Sequence, residues 1–232
     1  MKLKILESNI NLNPQELSLI RETLMSVLRH QVSRNGPLTG RLPSARINLK
    51  NTPVHLKVSV LGGTVGKLAP FLKLSFAAKR VKREFFWLNV FNLAGLNVPK
   101  PFGYVILNFG VKRIGILLTH FVEGQTMSSI FQENQISISS YISKLEDEFI
   151  KLLNLPVIHL DFHPGNILVG SDGKVYLLDL ASIRVGRRSK LELLDFYFKR
   201  WRRACLKHKL PDESIHYFAE IIARLKNEQS IY

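Results

Sequence analysis

The chain has 232 residues, enough for one sizeable core or two small packed lobes but too few for two large independent domains. Hydrophobic residues make up 46% of it, which excludes a disordered or low-complexity chain. Lysine and arginine total 33 against 18 acidic residues, and the net charge of +15 indicates an anionic partner such as nucleic acid, an acidic membrane surface or a phosphorylated substrate.

The sequence also limits where the protein is expected to work. Its longest apolar stretches fall far below the roughly 20 residues that a membrane-spanning helix needs. The first residues lack a long apolar stretch followed by a small-residue cleavage site, and the single cysteine, Cys205, excludes an internal disulfide. We therefore expect a soluble or peripheral protein of the cytoplasm.

The first half of the chain predicts a small sheet with helices. Apolar residues at helical spacing predict a helix over residues 13 to about 34, with Asn13 as its cap. Strands are expected at 46–49, 54–60, 71–76, 103–107 and 114–122. A helical stripe between the third and fourth of these ends at Gly95. The result is a five-stranded antiparallel sheet with one inserted helix.

The second half has a different character. A helical pattern over 142–152 ends before Pro156, and the segments 166–169 and 175–178 read as a short hairpin. A last long helix near residues 191–205 carries an apolar stripe and a basic face. The overall prediction is an α+β fold with a mainly helical second lobe.

One stretch, HLDFHPGNILVGSDGKVYLLDLA from His159 to Ala181, carries the chemistry. Asp161 lies on the loop that enters the second hairpin, Asn166 begins its first strand and Asp179 ends its second. Adjacent strands lie about 4.8 Å apart, so the oxygens of Asn166 and Asp179 can converge on one cation, and Mg²⁺ prefers such ligands. Asp161 can then orient an attacking hydroxyl and accept its proton, which predicts phosphoryl transfer.

The pattern H-x-D-x-x-x-x-N followed by D-x-x resembles the catalytic loop and metal-binding segment of the protein-kinase-like superfamily. Its details, HLDFHPGN and DLA, together with REFFWLNVFNLAGLNVPKPFGY, look most like the bacterial lipopolysaccharide core kinases. The resemblance implies a two-lobed kinase fold that uses ATP and Mg²⁺. It divides the chain into an N-terminal helical extension (1–44), an N-lobe (45–123) and a C-lobe (124–232).

The resemblance also implies roles for residues outside the catalytic loop. Lys73, within the predicted strand 71–76, takes the place of the phosphate-binding lysine, and Glu84 on the next helix takes that of its ion-pair partner. The hinge that binds adenine would run from Thr119 to Glu123. His163 takes the place of a basic catalytic-loop residue that contacts the γ-phosphate when protonated.

The expected function is therefore ATP- and Mg²⁺-dependent phosphorylation of a hydroxyl on a lipopolysaccharide core sugar, without nucleic acid as a partner. A small-molecule or Ser/Thr protein kinase of the same fold is the alternative. The rival from another class is a weakly active kinase-like module that binds nucleic acid or anionic membrane. The poor match of the glycine-rich phosphate loop, whose glycines Gly62, Gly63 and Gly66 fall in a later turn, keeps that rival open.

Two further alternatives concern single segments. Alternate residues of a strand share a face, so His159, Asp161 and His163 could instead be metal ligands. We favour a bracing role for His159 through its ring nitrogens. The basic face of the last helix is either a solvated surface or an attractive surface for an anionic glycolipid or leaflet.

Overall fold

The computed structural model describes residues 3–33, 44–59, 73–109, 112–133, 138–186 and 188–227. The chain divides into two compact units. The first comprises Met1–Asn89 and Pro99–Phe121, and the second Val90–Val98 and Val122–Tyr232. Among the described residues, no helix is long and apolar enough to cross a membrane.

The first unit is a five-stranded antiparallel sheet with two helices. In chain order its elements are β1 (Leu3–Ser8), α1 (Pro14–Ser33), β2 (Ser44–Leu49), β3 (Thr52–Ser59), α2 (Lys73–Leu93), β4 (Pro101–Phe109) and β5 (Lys112–His120). The strand order is β1-β4-β5-β3-β2, and every neighbouring pair is antiparallel. The last residues of α2, from Val90 onward, belong to the second unit.

Local sequence explains why these elements form. The helix α1 begins with a reciprocal cap, because the Glu16 amide donates to Asn13 Oδ1 and the Asn13 amide donates to Glu16 Oε2. Between β2 and β3 the chain turns at Lys50 and Asn51, both with positive φ (49° and 58°), as a two-residue hairpin requires.

The sheet has two differently used faces. Val54, Leu56 and Val58 alternate along β3 and are fully buried in a core that includes Ile20 and Leu24 of α1. The helix α2 packs closely against Gly115 of β5. A Cβ added to this glycine would lie 2.6 Å from Val81 Cγ2 and 2.8 Å from the Ala77 carbonyl oxygen. This contact requires glycine at position 115.

Several sequence expectations are confirmed in the first unit and two are wrong. The predicted count of five strands is right, but the membership differs. Residues 73–76 are the start of α2 rather than part of a strand, and the missing fifth strand is β1, within the segment expected to be a helical extension. The glycines Gly62, Gly63 and Gly66 lie outside the described residues.

The second unit is mainly helical with two small sheets. Its elements are β6 (Gly124–Thr126), α3 (Met127–Gln132), α4 (Ile138–Leu153), β7 (Val157–His159), β8 (Ile167–Gly170), β9 (Val175–Leu177), β10 (Ile183–Val185), α5 (Lys190–Lys207) and α6 (Glu213–Asn227). The predicted hairpin is β8–β9, and β6 pairs with β8 to complete a three-stranded sheet. The other sheet consists of β7 and β10. The α+β two-lobed prediction is confirmed.

A cluster of aromatic side chains forms the core of the second unit. The fully buried members Phe149, Phe162, Tyr197, Trp201 and Phe218 come from α4, the catalytic loop, α5 and α6. Trp201 is thus a core residue, and its Nε1 donates to the Ser214 carbonyl at 2.8 Å. This cluster fixes both the loop that carries Asp161 and the helix behind it.

Candidate active site

The loop between β7 and β8 carries Asp161 and is held through its backbone. The Asp161 amide donates to His159 Nδ1 at 3.2 Å, and Asn166 Nδ2 donates to the Asp161 carbonyl at 2.8 Å. The next residue, Phe162, is buried in the aromatic core. The Asp161 carboxylate, about 30% exposed, is therefore presented by a backbone that is anchored on both sides.

His159 braces this loop with both ring nitrogens. Because Nδ1 accepts from the Asp161 amide, Nε2 carries the proton and donates to the Leu178 carbonyl at 3.0 Å. Burial lowers the pKa of His159, which keeps the imidazole neutral. The His159 amide in turn donates to the Tyr197 hydroxyl at 3.0 Å. The bracing interpretation is confirmed by these contacts.

Three donors surround the Asp161 carboxylate. His163 Nε2 lies 3.5 Å from Oδ1, Arg200 Nη2 contacts the same oxygen, and Asn166 Nδ2 lies 3.2 Å from Oδ2. The hydrogen bond with His163 and, after it, the one with Arg200 hold the pKa of Asp161 well below its usual range. The group is therefore an ionised aspartate at neutral pH.

Arg200 contacts the Asp161 carboxylate and was not singled out by sequence reasoning. It belongs to α5, 39 positions after Asp161, and lies on the basic face that the sequence predicts for this helix. Nothing in the local sequence distinguishes it from Lys199, Arg202 or Arg203. Only the packing of Tyr197 and Trp201 on either side into the aromatic core decides which of these cations reaches the loop.

The structure brings the segments of Asn166 and Asp179 together as predicted. The Leu178 amide donates to the Asn166 carbonyl at 2.9 Å, which extends the β8–β9 register to the residue before Asp179. Asp179 itself adopts a left-handed conformation (φ 55°, ψ 55°). Such backbone is uncommon outside glycine and is often retained at functional sites.

Asn166 and Asp179 carry oxygen ligands of the kind that a magnesium ion prefers. The amide nitrogen of Asn166 is engaged by Asp161, which leaves the amide oxygen as its metal-binding atom, and Asp179 offers a carboxylate. Among the described residues, no three His, Cys, Asp or Glu side chains are grouped so as to hold a metal ion. The two histidines of the alternative metal cluster make other contacts: His159 bonds the Asp161 amide and the Leu178 carbonyl, and His163 faces the Asp161 carboxylate.

In the first unit the strand lysine that pairs with Glu84 is Lys57. Its Nζ lies 2.7 Å from Glu84 Oε1, and the Glu84 side chain is only 4% exposed against 18% for Lys57. Glu84 is on α2, as expected. The prediction for Lys73 is wrong in its premise, because Lys73 is the first residue of α2 and not a strand residue. The sequence did contain a signal for Lys57, because this lysine lies within the predicted strand 54–60.

The predicted hinge residues lie where the two units join in sequence. Thr119 is buried in β5 between β3 and β4, whereas Glu123 is exposed and its carbonyl accepts a hydrogen bond from the Ser171 amide at 2.8 Å. Between them the Phe121 amide donates to the Pro53 carbonyl. Contact of this segment with adenine stays a prediction.

Comparison with known proteins now decides the family. The RIO domain matches residues 71–195, more than half of the chain. The chain belongs to the RIO domain family. This domain is kinase-like, so the superfamily predicted from the catalytic motif is confirmed. The matched segment includes Glu84 and the whole stretch from His159 to Ala181.

Two curated relatives refine the comparison. The 3-deoxy-D-manno-octulosonic acid kinase of Vibrio cholerae serotype O1 is 31% identical over 147 residues, 62% of each chain. The kinase of the same name from Vibrio vulnificus is 27% identical over 187 residues, 78% of this chain and 77% of the relative. The chain thus spans under two thirds of the first relative's length. These relatives support the prediction of a kinase related to the lipopolysaccharide core kinases.

Proposed function

We propose that the protein transfers the γ-phosphate of ATP, with Mg²⁺, to a hydroxyl of a lipopolysaccharide core sugar, and specifically to a 3-deoxy-octulosonic acid residue. The names of the relatives support the sugar. One observation carries the reaction class: Asp161, Asn166 and the segment that ends in Asp179 are joined by hydrogen bonds at one end of a single hairpin.

The residues divide the work as follows. Asp161 orients the acceptor hydroxyl and takes its proton. The sugar oxygen then bonds to the γ-phosphorus while the bond between that phosphorus and the β–γ bridging oxygen breaks, which releases ADP. Asn166 and Asp179 would hold the metal, which neutralises phosphate charge when bound. Lys57, held by Glu84, would bind the α- and β-phosphates, and His163, whose Nδ1 accepts from the Gly165 amide, would donate to the γ-phosphate from Nε2.

The position of the reaction follows from its proposed acceptor. A glycolipid core sugar is anionic and is assembled at the cytoplasmic face of a bacterial inner membrane. The excess of 15 positive charges favours approach to such a surface by about 1 kcal/mol per basic residue near it. We propose a cytoplasmic enzyme that meets this membrane peripherally, without nucleic acid as a partner.

The test measures phosphate transfer from labelled ATP to a glycolipid that contains the octulosonic acid, with and without Mg²⁺. We expect metal-dependent transfer in the wild type and a fall in kcat of about 10²- to 10⁴-fold in Asp161→Asn. Asp172→Asn is the matched control, because Asp172 lies in the turn of the same hairpin and bonds Tyr176 and Lys174. Undiminished turnover in Asp161→Asn rejects the role of Asp161. Absence of transfer, with salt-sensitive nucleic-acid binding instead, favours the rival binding module.

A further inference from the structure

Arg200 is the residue of α5 whose side chain contacts the Asp161 carboxylate. Its neighbours Tyr197 and Trp201 are both fully buried and are anchored by the His159 amide and the Ser214 carbonyl. The backbone of Arg200 is thus fixed, while its side chain retains 34% exposure. The guanidinium can therefore be reached by a molecule that binds beside Asp161.

The contact between Arg200 and Asp161 conflicts with a simple catalytic role for the aspartate. The acceptor hydroxyl must donate to one carboxylate oxygen, yet Oδ1 is contacted by Arg200 and faced by His163, and Oδ2 is faced by Asn166 Nδ2 at 3.2 Å. A cation on the carboxylate also weakens it as a base. Turnover is easier if Arg200 leaves Asp161 when the acceptor arrives.

The guanidinium has unused binding capacity for such an exchange. Arginine presents five N–H donors in a planar fork that matches a carboxylate. Only Nη2 contacts Asp161, and Nε is buried without a hydrogen-bond partner within the described part of the chain. A planar anion that replaced Asp161 and bound along the Nε–Nη edge would give this buried donor a partner.

A carboxylate suits this exchange better than a phosphate does. Arg200 already holds a carboxylate, so replacing it with another of the same geometry changes little in charge or hydrogen bonding. The acceptor proposed above is a sugar acid and carries such a group. His163, whose ring stacks on that of His208 at 6.3 Å between centroids, adds no negative charge to oppose it.

We propose that Arg200 binds the carboxylate of the acceptor sugar, and that Asp161 takes the place of that carboxylate in the free enzyme. This inference rests on the proposed function and deepens it by assigning a residue that selects acidic acceptors. Acceptor binding frees Asp161 for the hydroxyl, so the base becomes available only when a substrate of the right charge is present.

The test compares the acceptor glycolipid with its carboxyl methyl ester, in which the charge is removed. The wild type should prefer the acid in kcat/KM by about 10- to 100-fold, as expected for a charge-assisted hydrogen bond. In Arg200→Gln the preference should fall to within about threefold, mainly through KM for the acid, with KM for ATP unchanged. Arg203→Gln, an exposed arginine of the same helix, should keep the preference.

Two kinetic outcomes overturn the inference. If Arg200→Gln slows transfer to the acid and to the ester by the same factor, Arg200 acts only on Asp161. If the variant raises KM for ATP instead, its anion is a nucleotide phosphate.

A binding measurement separates this inference from the proposed function. Calorimetry with the acceptor glycolipid in the absence of ATP should show affinity at least about tenfold higher for the wild type than for Arg200→Gln. Equal affinities, or no binding by the wild type, reject the role of Arg200 whether or not transfer occurs. Absence of Mg²⁺- and ATP-dependent transfer rejects the proposed function alone.

Discussion

One cation–carboxylate pair in each unit involves residues of the proposed function, and these two pairs are built in opposite ways. In the first unit the carboxylate is the more buried partner: the Glu84 side chain is 4% exposed and the Lys57 side chain 18%. In the second unit Asp161 and Arg200 are exposed to similar extents, 30% and 34%. A buried ion pair is costly to break, whereas an exposed one contributes little. The first pair is therefore a fixed support, and the second is open to exchange.

The largest effect should come from removing the buried carboxylate. We expect Glu84→Ala to lower the free energy of unfolding by about 3 kcal/mol or more, because Lys57 loses the partner that offsets its partial burial. Arg200→Gln should lower it by less than about 1 kcal/mol. Chemical denaturation monitored by circular dichroism measures both. Equal losses in the two variants would contradict the contrast between a fixed and an exchangeable pair.

The two lysines assigned to phosphate binding give the next effect. Lys57→Met should lower kcat/KM for ATP by about 10²-fold, since it removes the charged donor that we propose for the α- and β-phosphates. Lys73→Met makes the same chemical change at the first residue of α2 and should alter the rate by less than about threefold. Steady-state kinetics with ATP as the varied substrate decides between them. Loss in Lys73→Met with normal Lys57→Met would restore the interpretation made from sequence alone.

The predictions for Lys57 and Lys73 show which secondary structure could be predicted from the sequence and which could not. In FLKLSF, apolar and polar residues alternate with the period of a strand, yet Leu74 also continues the helical spacing of Val81. A short apolar run cannot distinguish these periods. The alternating segment VHLKVS was predicted correctly as a strand and contains Lys57, so the lysine that pairs with Glu84 was within a predicted strand.

The catalytic loop was predictable because its residues are close in sequence. Asp161, Asn166 and Asp179 lie within 19 positions of one another, and a hairpin with a glycine-containing turn fixes their arrangement. Arg200 and Tyr197 act on the same loop from a separate helix, and only tertiary packing determines which residues of α5 face it. The strand β1 was missed for the same reason, since its pairing partner β4 is about 100 residues away.

The smallest expected effect comes from removing a neutral hydrogen bond that supports the loop of Asp161. Burial raises the pKa of Tyr197 to about 12, so its hydroxyl stays neutral while it accepts from the His159 amide at 3.0 Å. Tyr197→Phe leaves that buried amide without its partner, which costs about 1–3 kcal/mol in the free energy of unfolding. Because the amide belongs to the bracing histidine, kcat should also fall while KM for ATP stays constant.

Tyr217→Phe is the matched control for this change. Tyr217 stacks its ring on Phe131 at 6.4 Å, a contact that phenylalanine preserves, so stability and kcat should stay near those of the wild type. If Tyr197→Phe matched this control in both stability and kcat, the hydroxyl would be irrelevant to the loop. A stability loss with unchanged kcat would instead mean that the aromatic core and the Asn166 side chain suffice to hold Asp161 in place.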